Sequence, residues 1–185
     1  MTKTMIPPDW KILPNTMGLV YLAELNFMII EKIYHELDHD NKKHPAYYFL
    51  AFSASNSFFE SVNILYTLLC STKKEELRIK PLLLDSLKGK DGRVLKESIE
   101  KFNALKLRFE KYNFGKVRHN AGAHKNKKLP YPTGATSQLI QERFIISLGS
   151  IITELKNNTH TWFNYTLDNP YSHILDHLDK VILMN

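Results

Sequence analysis

Three residues in one short stretch have the types and spacing to work on a phosphate. In "GKVRHNAGAHKNKK", residues 115–128, Arg118 is followed at once by His119, and after four further residues by His124. A histidine titrates near neutral pH, so it can take or give a proton. An arginine offers a planar fork of N–H donors that matches a phosphate and stabilises charge growing on it. These are the groups that cleavage of RNA without a metal requires. The 2′-hydroxyl must lose a proton to attack its neighbouring phosphate. The 5′-oxygen must gain one to leave. One histidine serves as base and a second as acid, either His119 or the His124 of a second copy.

The surroundings favour the same chemistry. From Lys111 to Gln141 there is no Asp or Glu. Lys116, Lys125, Lys127 and Lys128 lie within that run and are candidate phosphate contacts. Neighbouring cations favour a neutral imidazole, which suits a base. Asn120 stands four places before His124, so in a helical turn it can hold the ring by a hydrogen bond. Without chemistry the same stretch reads as a solvated basic loop. Geometry sets one condition. On a continuous helix Arg118 and His124 stand about 9 Å apart along the axis and about 120° apart around it, so they cannot grip one phosphate. Gly122 permits a bend there, and Ala121 and Ala123 permit close approach of another chain. Otherwise each group meets its counterpart across a symmetric dimer.

"RHNAGAH" fits the pattern Arg-[Asn/His/Lys]-x4-His and resembles the motif of the HEPN superfamily (higher eukaryotes and prokaryotes nucleotide-binding). "VRHNAGAHKNKK" after a long helix is most similar to its abortive-infection branch. The resemblance implies a HEPN-like helical bundle that dimerises. It also implies a metal-independent ribonuclease of a toxin–antitoxin or abortive-infection system, with an antitoxin or other defence protein as a possible partner. By the same resemblance Arg118 and His124 are the catalytic pair across the dimer, and His119 fills the variable polar position. Some members carry a tyrosine two places after the motif histidine; here that place is Asn126.

The elements that must position this stretch are helical. Leu95, Ile99, Phe102, Leu105, Phe109 and Tyr112 recur at steps of four, three, three, four and three, one face of a helix that ends just before it. Pro130, Pro132 and Gly134 punctuate a loop after it, and Thr136 or Ser137 can cap the next helix, which runs to about Leu155 with Ile140, Phe144, Leu148 and Ile151 inward. Upstream, a helix is expected over about 18–37 after an irregular arm of residues 1–16. A second is expected over about 46–70, with Pro45 at its start. Its apolar stripe is Leu50, Ala54, Phe58, Val62, Leu65 and Leu69; Asn56, Glu60, Asn63 and Thr67 form a polar stripe that should face water. A short helix or irregular crossing is expected over 73–90, and a final short helix from His173. "NNTHTWFNYTLDNP" is ambiguous. The expected class is all-α: one domain, 1–185, of four or more helices.

Bulk properties agree. With 185 residues and 43% hydrophobic content, one domain can bury roughly 70% of its unfolded surface. The net charge of +6 and pI near 9.2 suit an acidic partner such as RNA. The lone Cys70 excludes an intramolecular disulfide. Residues 47–70 are long enough to span a membrane but too polar, and the N-terminus lacks a signal-peptide core, so a cytoplasmic protein with no membrane partner is expected. His35 and His39, like His173 and His177, are four apart, yet neither pair has an obvious third ligand. There is no P-loop, Rossmann glycine fingerprint or nucleophile elbow. No metal or cofactor is called for. Two other readings use the same residues: a bundle that holds RNA or a nucleotide without cutting it, and a structural helical dimer.

Overall fold

Proline in the first turn of a helix costs nothing, because the amide it lacks has no partner there. The first helix, α1 (Leu13–Glu36), begins in this way, with Pro14 as its second residue. Residues 13–16, read from sequence as part of the irregular arm, are therefore helical. Thr16 helps by donating its hydroxyl to the Ile12 carbonyl at 3.0 Å. The computed structural model describes residues 12–36, 45–73, 76–114, 142–164 and 173–174.

Among these residues there are four further helices of more than two residues: α2 (Pro45–Leu69), α3 (Ile79–Ser86), α4 (Gly92–Lys111) and α5 (Glu142–Phe163). No strand occurs among them, so the all-α class holds. Pro45 opens α2 as its sequence suggests. α3 resolves the ambiguous crossing into a short helix. α5 runs eight residues beyond Leu155, through the first half of the stretch that was ambiguous in sequence. The expected caps Thr136 and Ser137, the inward Ile140, and most of the final helix lie outside the described residues.

The helices pack as a bundle. α1 lies along α2 and also against α5, while α4 packs on α5 and α3 touches α2, α4 and α5. Two lines of contact show that α5 runs antiparallel to both α1 and α4. Tyr21, Glu24 and Phe27 of α1 meet His160, Lys156 and Gly149 of α5 in reverse order. Arg108 and Phe114 meet Ser150 and Phe144 in the same sense.

Close approach explains the small residues. Ser61 of α2 donates its buried hydroxyl to the Ala23 carbonyl of α1 at 3.3 Å. At Gly149 a β-carbon would lie 2.1 Å from Cζ of Phe27, so the ring occupies the space that any other residue would fill. The core joins all five helices through Val20, Phe58, Leu65, Leu83, Phe109 and Leu148, among others. The expected α2 stripe is buried from Ala54 to Leu69; of the polar stripe expected to face water, Asn56 and Glu60 are exposed while Asn63 and Thr67 are half-buried. α1 is buried on more than one side. Met17, Val20, Tyr21 and Ala23 are buried as fully as Ile30 and Ile33, because α1 is enclosed by α2 on one side and α5 on another. Leu13–Ile33 is also the one described stretch long and apolar enough to cross a membrane; in the bundle it is a core helix.

Candidate functional site

The basic stretch leaves α4 through an aromatic anchor. Tyr112 caps the helix, Asn113 adopts the left-handed conformation at φ 56°, and Phe114 turns into the core with no exposed surface. Left-handed backbone is strained for most residues, while Asn tolerates it, which is why Asn ends helices in this manner. Phe114 packs against Phe109, Tyr112 and Phe58 with ring centroids 5.3, 5.7 and 6.2 Å away. It also meets Phe144, near the start of α5, edge-on at 6.2 Å.

That last contact fixes where the stretch begins and where it returns. Residues 115–141 connect Phe114 to α5, and the two ends of that connection touch through a ring pair. Arg108 braces the same junction. Its guanidinium bonds the Glu154 carboxylate and donates to the Ser150 hydroxyl at 2.8 Å, tying α4 to α5 two turns from the ring pair. The site residues expected from sequence, Arg118, His119 and His124 with Lys116, Asn120, Lys125, Lys127 and Lys128, lie outside the described residues, as does Asn126. What the structure brings together is the frame on either side of them.

The basic stretch, taken together with the residues that lead into it, is lopsided in charge. Residues 73–128 hold 17 of the 25 Lys and Arg and 7 of the 19 Asp and Glu, a net of +10; the other residues net −4. Along α4, Lys96 pairs with Glu100, Lys101 with Glu97 and Lys106 with Glu110. The hydrogen bond and charge of Lys101 hold the Glu97 carboxyl below its ordinary value. These exposed pairs add little stability and leave the positive excess in place.

Two other groups of reactive side chains merit comparison. Cys70 is half-buried, and desolvation, then the Glu110 charge, pushes its thiol up to about 11. It is thus protonated at neutral pH and a poor nucleophile. The Tyr21 hydroxyl and His160 Nε2 lie 3.0 Å apart, and next to them Lys156 binds both Glu24 oxygens at 2.7 and 2.9 Å while its Nζ stands 5.4 Å from the Tyr21 ring centre. This polar seam joins α1 to α5. Tyr21 and His160 are 139 residues apart, so no local spacing could have revealed it. His173 is exposed, His35 falls in α1, and His39 and His177 lie outside the described residues. Among the described residues no group of three His, Cys, Asp or Glu is placed to hold a metal.

No protein-family model, curated protein or solved structure matches the chain.

Proposed function

We propose that this chain is a metal-independent endoribonuclease of HEPN type, acting as a homodimer in the cytoplasm within a toxin–antitoxin or abortive-infection defence system. The observation that carries the reading is the Arg118–His119–x4–His124 spacing inside an acid-free run, directly after a long amphipathic helix. The anchored junction supports it, since a catalytic stretch needs a rigid base and Phe114 and Phe144 supply one at both of its ends.

In the proposed reaction a neutral histidine takes the proton of the 2′-hydroxyl. The oxygen attacks the adjacent phosphorus, the bond from phosphorus to the 5′-oxygen breaks, and a second histidine protonates that oxygen. The products are a 2′,3′-cyclic phosphate and a free 5′-hydroxyl. Arg118 holds the non-bridging oxygens as charge builds on them. Lys116, Asn120, Lys125, Lys127 and Lys128 hold the strand.

The test is cleavage of a mixed RNA in EDTA, wild type beside His124→Ala, both checked for folding and association state. Only the wild type should cut, and it should leave 2′,3′-cyclic phosphate ends. Undiminished cleavage by the variant removes His124 from the mechanism. Salt-sensitive RNA binding without any turnover would instead favour a binding module.

A further inference from the structure

The positive excess is not confined to the basic stretch. Arg93 and Lys111 are both exposed and lie eighteen residues apart on α4. Eighteen residues are five turns, so the two stand on one line along the helix, about 27 Å apart. Lys90 is exposed in the turn just before α4, beside Arg93. Lys90, Arg93 and Lys111 pair with no carboxylate among the described residues. Asp91 is occupied otherwise: its carboxylate caps the helix by accepting the Arg93 backbone N–H at 2.8 Å. Between the two cationic ends the outward line is neutral, made of the Glu97–Lys101 and Glu100–Lys96 pairs, Ala104 and Leu107.

We infer that the outward face of α4 is a second RNA-backbone contact, which holds a strand at Lys111 and again at Lys90 and Arg93. The inference rests on the reading of residues 115–128 as an RNA site, since Lys111 stands four residues before Gly115 and the strand reaches back from there along α4. Two cationic points separated by a neutral stretch suit a chain of phosphates. A membrane-binding helix would present a continuous apolar face instead, and here the exposed Val94 and Leu107 lie thirteen residues apart with the Glu97–Lys101 and Glu100–Lys96 pairs between them. The spacing sets a length requirement: at about 3.4 Å per stacked nucleotide, both points are reached by a strand of about eight nucleotides or more. Shorter strands gain nothing from the second point.

The experiment measures anisotropy of fluorescein-labelled 2′-O-methyl oligoribonucleotides of four and twelve nucleotides, which cannot be cleaved, over a range of salt. Wild type should bind the 12-mer about tenfold or more tighter than the 4-mer. In Lys90→Gln/Arg93→Gln/Lys111→Gln that gap should close, and the slope of log affinity against log salt for the 12-mer should fall by about 2, at about 0.7 per lost contact. All three side chains are exposed, so the thermal midpoint should not move. A control that removes equal charge from the sequence outside residues 73–128, Lys11→Gln/Lys42→Gln/Lys43→Gln, should keep both gap and slope. The inference is overturned if wild type binds neither strand, if it binds both equally, if the triple variant keeps its slope, or if the control loses as much. It is also overturned if the triple variant loses binding to phosphatidylserine vesicles while its RNA slope is unchanged. His124→Ala separates this from the nuclease reading. If the wild type does not cleave, or His124→Ala cleaves as well as the wild type, while the length gap persists, the nuclease reading fails and the face stands. His124-dependent cleavage with no gap sinks the face and leaves the nuclease.

Discussion

Asn113 holds a left-handed turn immediately before the aromatic anchor, and its side chain is one of few that tolerate it. Asn113→Val should cost about 1 to 2 kcal/mol in urea unfolding, whereas Asn113→Gly should be neutral or slightly stabilising. Cys70 gives a pH signature. Its folded thiol titrates near 11 against an ordinary value of 9.0. Between those values the unfolded thiol ionises while the folded one keeps its proton. Its contribution is therefore fully present below pH 9 and is lost as pH rises toward 11. The urea midpoint of wild type should fall more steeply from pH 8 to pH 10 than that of Cys70→Ala.

At the scale of elements, Gly149 and Phe27 set how closely α1 and α5 approach. Gly149→Ala gains about 1 kcal/mol of helix propensity but drives a β-carbon into the ring. The clash should win, with a net loss of about 1 to 2 kcal/mol. In a Phe27→Leu background the same change should be neutral or stabilising, so a double-mutant cycle reads the coupling directly. Phe114→Ala should cost about 3 to 5 kcal/mol, because it empties the centre of the aromatic cluster. Elements were legible in sequence where one face is buried. α4 shows this best, with Phe102, Leu105 and Phe109 buried at the spacing the sequence presents. α1 was blurred because it is enclosed from two sides, and its start was masked by proline. α5 was cut short because the polar run "NNTHT" left the stretch after Leu155 ambiguous. In the helix Thr159 is buried and bonds back to the Lys156 carbonyl at 2.8 Å, and Trp162 and Phe163 anchor the last turn.

For the whole molecule, Arg118, His119 and His124 stand out by residue type and spacing and lie outside the described residues, whereas the polar seam of Tyr21 and His160 and the exposed cations of α4 needed the packed helices. A site shared between two copies makes its own prediction. If Arg118 and His124 act across a dimer, neither Arg118→Ala nor His124→Ala should cleave alone. An equal mixture should recover about a quarter of wild-type activity, since half the dimers are mixed and each retains one complete site. No recovery on mixing, with subunit exchange verified by sedimentation, would place the pair within one copy.

The contact of Phe114 with Phe144 also bears on how this protein can change over generations. The two rings bring together the described residues on either side of 115–141. Lengthening such a closed connection is cheap: doubling it costs about 0.6 kcal/mol. On the proposed reading of that stretch as an RNA site, it can thus be exchanged as a cassette, longer or shorter, with new residues for new RNA, while the helices on either side are left as they are.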